Sequence, residues 1–383
     1  MTDSPAEVKA VFKEKFEEEP HCYYSPGRIN LIGEHVDYND GFVMPAAIDK
    51  GIFFAIALND SEQINCYSLD FDESLSLVVS EVKKMEGWKN YVLGIVKEFQ
   101  NLQLPVRGFN CVFGGNIPIG SGMSSSAALE GGISYSLNEL GEFKMSRREL
   151  ALLGQRAEHN FPGVKCGIMD QYANMMGKED TVLLLDCKHL THEPLPLDLQ
   201  GYRIILINTK VHHSLAGSAY NQRRMECEKG LMIARKDSGI QSFRDVEDPA
   251  RLLEFKDEMG DATYRRCLFV VEEILRTRRA AAFLKENNIA GLGALMFQTH
   301  EGLKELYEVS CKELDFLVSA AKENKDVIGA RLMGGGFGGC TINIVKQEGV
   351  ESFLVKILSA YKKEFCINAE SYQVKIVEGT HAV

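Results

Sequence analysis

Four stretches of this sequence concentrate residues that could do chemistry. Residues 25–41, Ser-Pro-Gly-Arg-Ile-Asn-Leu-Ile-Gly-Glu-His-Val-Asp-Tyr-Asn-Asp-Gly, gather Glu34, His35, Asp37, Asn39 and Asp40 in one loop. Acceptors this dense suit a polyhydroxylated ligand, because each buried hydroxyl must find a partner. An Asp/Asn-rich surface turn is the plainer alternative, but Arg28 and the interleaved apolar residues argue for burial. A metal site from His35 and the two carboxylates is the weaker chemical reading.

Residues 114–127, Gly-Gly-Asn-Ile-Pro-Ile-Gly-Ser-Gly-Met-Ser-Ser-Ser-Ala, stand between an apolar strand pattern and an apolar-periodic helix pattern. A loop there can aim free N–H groups at an anion, with the helix dipole behind it. Gly120 and Gly122 let the backbone come close to a phosphate, and Ser124, Ser125 and Ser126 add hydroxyls. It is no Walker A loop, since no Gly-Lys-Ser/Thr follows, and no dinucleotide fingerprint, since Ser125 stands at the third glycine position. The competing reading is a Ser-capped helix after a glycine turn.

Residues 334–339, Gly-Gly-Gly-Phe-Gly-Gly, hold five glycines. Each loses extra backbone entropy on folding, so close approach to a ligand or another loop explains them better than a permissive hairpin. In the fourth stretch, 158–171, Asp170 sits in the nearly apolar run Ile-Met-Asp-Gln-Tyr-Ala. It is either an N-terminal helix residue or a base held in a cleft. Glu158 ends a helical pattern and would otherwise be an ordinary solvated residue. His189/His192 and His212/His213 lack the pattern of a zinc set.

The elements that must position these stretches come from periodicity. Ser4, Pro5 and Glu7 read as a capping box opening a helix with Val8, Val11, Phe12 and Phe16 on one face. Strands are expected near 21–25, 43–46, 52–58, 63–67, 74–79, 108–113, 181–186, 202–208, 329–333, 340–346 and 371–377. Helices are expected near 89–101, 123–140, 146–160, 219–236, 262–286, 310–324 and 349–364. This mixture suggests α+β layers rather than regular βαβ winding, with a break between two lobes near residue 200.

The chain has 383 residues, 45% hydrophobic and 25% charged, with a net charge of −11. That length allows two or three domains or one large bilobal unit. The acidic balance argues against nucleic acid or an anionic membrane as partner, though backbone N–H groups can still hold a small phosphate. Ten scattered cysteines without a Cys-x-x-Cys pair, no signal-peptide pattern and no apolar run of spanning length imply a cytoplasmic protein with reduced thiols.

Together these stretches resemble the family of small-molecule kinases that contains galactokinase, homoserine kinase, mevalonate kinase and phosphomevalonate kinase. Gly27 to Tyr38 looks like the galactokinase sugar signature, Pro118 to Ala127 like the family's phosphate-binding loop, and Gly329 to Cys340 like its third motif. The similarity runs from about residue 20 to 377, and the first motif is the specific one. Val36 and Met333 stand where Thr is usual, and Met123 where Leu is usual.

The resemblance implies a bilobal α+β fold, lobes 1–200 and 201–383, with the site between them. It implies ATP-dependent phosphorylation of the anomeric hydroxyl of α-D-galactose, giving galactose 1-phosphate and ADP, the first committed step of galactose catabolism. By matching position, Asp170 is the catalytic base and Arg28 supports it and the transferring phosphoryl. Glu34, His35, Val36, Asp37, Gly167, Asp170 and Tyr220 contact the sugar. Gly120, Ser121, Gly122, Met123, Ser124, Ser125 and Ser126 wrap the ATP phosphates, with Ser68 and Trp88 near the nucleotide. Ser126 and Glu158 are the Mg2+ ligands. Galactose and ATP are the expected partners, with no nucleic acid or membrane, for a monomer or weak oligomer. The alternatives are a kinase for N-acetylgalactosamine or L-arabinose, against which the segment Tyr38 to Pro45 speaks, and a non-catalytic galactose and ATP sensor. Such sensors have lost a Ser-Ala pair that is intact here as Ser126-Ala127.

Overall fold

A computed structural model describes residues 2, 4–199, 201–212 and 216–383 of the protein. His213, paired above with His212, lies outside the described residues.

The chain opens with helix α1 (Pro5–Phe16), which Ser4 caps by accepting from the Ala6 N–H. The expected capping box does not close, because the Glu7 carboxylate takes the Thr2 hydroxyl instead. Strands β1 (His21–Asn30), β2 (Phe42–Val43), β3 (Pro45–Leu58), β4 (Gln63–Ser68) and β5 (Glu73–Val78) follow, then α2 (Lys89–Asn101), β6 (Phe109–Gly115), α3 (Ser125–Leu140), α4 (Arg147–Asn160) and α5 (Met169–Met176). Strands β7 (Thr181–Asp186), β8 (Thr191–Pro196) and β9 (Tyr202–His212) lead into helices α6 (Ala216–Ala234), α7 (Lys256–Met259), α8 (Asp261–Lys285), α9 (Ile289–Glu305) and α10 (Lys312–Lys322). The chain closes with β10 (Val327–Leu332), β11 (Gly338–Lys346), α11 (Val350–Phe365), β12 (Glu370–Val374) and β13 (His381–Ala382).

These form a six-stranded sheet ordered β13-β1-β3-β6-β4-β5, a four-stranded sheet β10-β11-β9-β12 and a three-stranded sheet β2-β7-β8. Most pairings are antiparallel, and β4 runs parallel to β6. Helices α3 and α5 cover one face of the large sheet, and α1 packs on the other through Val8 and Phe12. Helices α10 and α11 bury their apolar faces on the four-stranded sheet against Ile205, Ile207 and Val345. The principal core runs without interruption from the large sheet to α8, α9 and β11, so both halves of the chain share one apolar interior. This is an α+β architecture.

Several elements depart from the sequence reading. The runs expected at 43–46 and 52–58 belong mostly to one long strand, β3, which carries Lys50 and Gly51 across a register shift against β1. Helix α9 falls where no element was expected. Its glycines lower intrinsic helicity, yet a Cβ at Gly293 would lie 2.2 Å from the Ile328 carbonyl. Glycine is therefore what lets α9 lie flat on β10. Strand β8 carries Pro194 and Pro196, a poor strand signal, and it sits at the edge of its sheet where proline is tolerated. Among the described residues no helix is long and apolar enough to cross a membrane.

Candidate active site

Arg28 stands near the end of β1, where the pairing with β3 shifts register and the backbone meets the 120–126 loop. The Arg28 N–H donates to the Met123 carbonyl at 3.1 Å, and a Cβ at Gly27 would lie 2.5 Å from that same oxygen. The Arg28 guanidinium is buried and forks onto Asp170, Nε to Oδ1 at 2.9 Å and Nη2 to Oδ2 at 2.8 Å. Such bidentate pairs fix both distance and plane. Its Nη1 donates to the Gly122 carbonyl at 2.6 Å. Asp170 lies in the first turn of α5, where the helix dipole favours a carboxylate. The Ser124 hydroxyl also donates to it, from a left-handed residue that precedes α3 and leaves the helix start without a side-chain cap. Asp170 is thus the helix N-terminal residue that one reading of the sequence expected, and it also lines the cleft.

The cleft has a volume of about 290 Å3. It is lined by Glu34, His35, Asp37, Gly167 and Tyr220 and by Gly120 to Ser126, together with Asp170 and Arg28. Burial pushes the Asp37 carboxyl up to about 7, helped by the charges of Asp170 and Glu34. Gly167 leaves room for it, since a Cβ there would lie 1.9 Å from Asp37 Oδ2. Burial alone would raise Glu34, but Arg331, Arg28 and the Gly334 N–H outweigh it and hold its carboxyl below the usual value.

His35 is pushed down to about 4 by burial, so it is neutral at physiological pH. Its Nε2 faces the Gly335 carbonyl at 3.2 Å, which can only accept, so Nε2 carries the proton. Nδ1 therefore accepts from the Tyr38 hydroxyl at 2.7 Å, Tyr38 accepts from Tyr307 at 2.9 Å, and Tyr307 accepts from the Cys227 thiol at 3.2 Å. Tyr220, on α6, sets its ring 5.3 Å from that of His35.

Glu158 is not a solvated residue. It is buried at the end of α4, with the Ser126 hydroxyl and the Gln171 amide (2.7 Å) bonded to it, and burial next to Asp170 pushes it up to about 7. Behind Ser125 and Ser126 opens a second, apolar pocket of about 370 Å3, lined by Ile52, Phe71, Trp88, Tyr91, Phe113 and Ile119.

The glycines of 334–339 do approach another loop. A Cβ at Gly334 would sit 3.3 Å from the Gly122 carbonyl, and one at Gly339 would sit 3.3 Å from that of Ser121. The third motif thus packs backbone to backbone on the phosphate-type loop.

Two expected positions do not face the site. Val36 is fully buried and packs against Gly41, so its side chain belongs to the core, turned away by the short helical turn that starts at Asp37. Ser68 is fully buried at the end of β4, where strand alternation points it inward, and Phe71 reaches the apolar pocket instead. The remaining site positions named from the sequence line one pocket or the other. The sequence reading gave no site role to Cys166 and Met169 in the cleft wall or to Phe71 and Ile119 in the apolar pocket, whereas Gly334 and Gly335 of the glycine-dense stretch do line the cleft. Phe71 and Ile119 are the kind of exposed apolar side chain that periodicity cannot distinguish from surface noise.

A nucleotide-sized apolar pocket, a glycine and serine loop, a held carboxylate and a polar cleft, in this α+β frame, define a kinase of the GHMP class. Models described as "GHMP kinases N terminal domain" and "GHMP kinases C terminal" match residues 90–178 and 280–363. Within that class the chain belongs to the galactokinase family of ATP-dependent sugar kinases. The model "Galactokinase galactose-binding signature" matches residues 10–58. Galactokinase of Clostridium acetobutylicum is 39% identical, with 98% of this chain and 97% of that protein covered. That of Bacillus subtilis is 39% identical with 97% of each covered. The structure of Lactococcus lactis galactokinase complexed with galactose superposes with a TM-score of 0.95 at 34% identity, covering 99% of each chain. Mevalonate kinase of Methanococcus jannaschii shares the fold, with a TM-score of 0.65 at 20% identity over 94% of this chain and 99% of that one.

Proposed function

We propose that the protein transfers the γ-phosphoryl of ATP to the anomeric hydroxyl of α-D-galactose, giving galactose 1-phosphate and ADP. The observation that carries this reading is Asp170, clamped by Arg28 and Ser124 between the Gly120–Ser126 loop and the Glu34–Asp37 cleft. Phosphoryl transfer needs alignment and charge neutralisation more than covalent chemistry. Asp170 orients the sugar hydroxyl and takes its proton, which requires an approach of about 3 Å. Arg28, always charged, holds the carboxylate in plane and offsets charge on the transferring group. Backbone N–H groups of 120–126 receive the phosphates at the start of α3. The adenine lies in the apolar pocket beside Trp88, whose indole N–H is already bonded to Glu73 at 3.2 Å, so the ring offers its face and edge to the base.

The donor set at Ser126 and Glu158 fits Mg2+. Both offer hard oxygen, and the Ser126 hydroxyl already bonds to the Glu158 carboxylate, so the two donors lie side by side. Mg2+ is commonly bound by one or two protein oxygens plus substrate phosphates and waters. When bound, it neutralises phosphate charge, and Glu158 and Ser126 orient it.

We also infer that residues 1–200 and 201–383 form the two lobes, with the tail beyond Val374 returning to the first: Thr380 and the β13 pairing both reach β1. The free cysteines suit a reducing, cytoplasmic setting, and a monomer or weak oligomer is the assembly we propose.

Purified protein with ATP, Mg2+ and galactose should release ADP only when the sugar is present. Sugar-independent ADP release would overturn the reading, and absent ADP release would favour a non-catalytic sensor. Faster turnover of N-acetylgalactosamine or L-arabinose would move the assignment to that sugar.

A further inference from the structure

Arg331 is the largest fully buried side chain in the described protein, and it lies outside both pockets. It stands on β10, just ahead of the glycine loop, three hundred residues from the sugar signature it holds. All of its donors are engaged. Nε donates to the Leu31 carbonyl at 2.8 Å, Nη1 to the Leu332 carbonyl at 2.6 Å, and Nη2 to the Asn30 carbonyl. Both Nη1 and Nη2 donate to Glu34 Oε1 at 3.1 Å, and the Gly334 N–H reaches the same oxygen at 2.8 Å.

Three donors thus converge on one oxygen of Glu34, and among the described residues none is recorded on Oε2. Glu34 lines the cleft, so the oxygen left over is the one available to a ligand. A carboxylate with a proton can donate as well as accept, whereas an ionised one can only accept. A guanidinium placed against it enforces the second state and, by its planar fork, the rotamer.

We propose that Arg331 is a specificity-determining positioning residue: by saturating Glu34 Oε1 it makes Oε2 an obligate acceptor aimed at a single sugar hydroxyl. This rests on the galactose reading above and deepens it. Arg331 touches no substrate. It turns a flexible carboxylate into a fixed one and ties that orientation to the third motif, because Gly334, the first glycine of the loop, shares the same oxygen. A site built to bond a hydroxyl rejects the analogue that lacks it, since the site's own polar group is then left unpaired.

The test is a panel of monodeoxygalactoses assayed by ADP release with wild type, Arg331→Lys and Glu34→Gln. In wild type one deoxy position should lose kcat/KM by about a hundredfold, the scale of a hydrogen bond to a charged group. Lysine keeps the charge but cannot span the same acceptors, so Arg331→Lys should shrink that discrimination to about tenfold or less while KM for ATP stays within about threefold. In Glu34→Gln, Arg331 and Gly334 still demand an oxygen at the Oε1 position, so the amide NH2 must face the sugar. The bond to that hydroxyl is then neutral and runs from the amide to the hydroxyl oxygen, so discrimination against that deoxy sugar should fall from about a hundredfold to about tenfold. This variant decides the matter if Arg331→Lys does not fold. A folded Arg331→Lys with unchanged discrimination, a Glu34→Gln enzyme with the wild-type hydroxyl preference, or a wild type in which no deoxy position depends on Glu34 would each overturn the proposal. Absence of galactose turnover in wild type would overturn the substrate reading instead.

Discussion

At the scale of single residues, the site depends on carboxylates kept in different states by their surroundings. Asp170 receives a guanidinium fork and a serine hydroxyl. Asp170→Asn keeps the shape but weakens the clamp and removes the proposed base, and should cost at least about a hundredfold in kcat. Near-normal turnover by ADP release would exclude Asp170 as base. Asp37 is held differently: two backbone N–H groups, those of Met169 and Tyr38, bond to it, but burial beside two other acids dominates and raises it to about 7. Raised in the folded state, this group binds more protons folded than unfolded between about pH 4 and pH 7. Its contribution to stability is therefore favourable at the acid end and is lost as pH rises through about 7. Asp37→Asn carries no such dependence. In thermal denaturation without ligand, the Tm difference between the variant and wild type should grow in favour of the variant from pH 5 to pH 8. A pH-independent difference would rule out the raised carboxyl.

At the scale of elements, the position of α5 decides where Asp170 points. One turn below Asp170, the buried Asn174 donates from Nδ2 to the Ser25 hydroxyl at 2.9 Å and the Pro26 carbonyl at 2.6 Å, and its Oδ1 accepts from Thr380 at 2.8 Å. Ser25 and Pro26 precede Arg28 on β1, so this knot registers the helix that bears the carboxylate against the strand that bears its guanidinium. A Cβ at Gly131 would lie 1.9 Å from Asn174 Oδ1, so α3 closes on the same point. Asn174→Ala leaves several buried polar groups unpaired and should cost about 1–3 kcal/mol of stability, read by urea unfolding. It should also lower kcat more than it changes KM for ATP, because it loosens the Asp170–Arg28 alignment rather than the apolar pocket beside Trp88. Equal stability to wild type would show that the knot is dispensable. Helix α5 was legible only as an alternative reading of Asp170, since Gly167 and the short apolar run before it carry no capping signal. Helix α9 was not legible at all, because the glycines that suit its packing on β10 weaken its local propensity.

At the scale of the whole molecule, the two glycine-rich loops are the meeting point. They lie more than two hundred residues apart in sequence, yet Gly122 and Gly334 touch backbone to backbone, and the continuous core behind them holds that contact in place. The acidic net charge is no obstacle to a phosphate ligand, because the positive character comes from N–H groups and Arg28 rather than from a basic surface. The tail adds a second closure, returning to pair with β1 and to bond Asn174. By itself the sequence determined the chemistry: the acceptor-rich 34–40 run, the Gly/Ser loop before a helix, the dense glycines of 334–339 and the isolated Asp170 are local patterns, and local chemistry is legible without a fold. Only the tertiary structure decided which groups line the cleft and the apolar pocket. Val36 and Ser68 turned inward, Phe71 and Ile119 turned toward the pocket, and Arg331 came from a distant strand to fix Glu34. Side-chain direction and partnership depend on strand register and on long-range packing, and neither is written in the neighbouring residues.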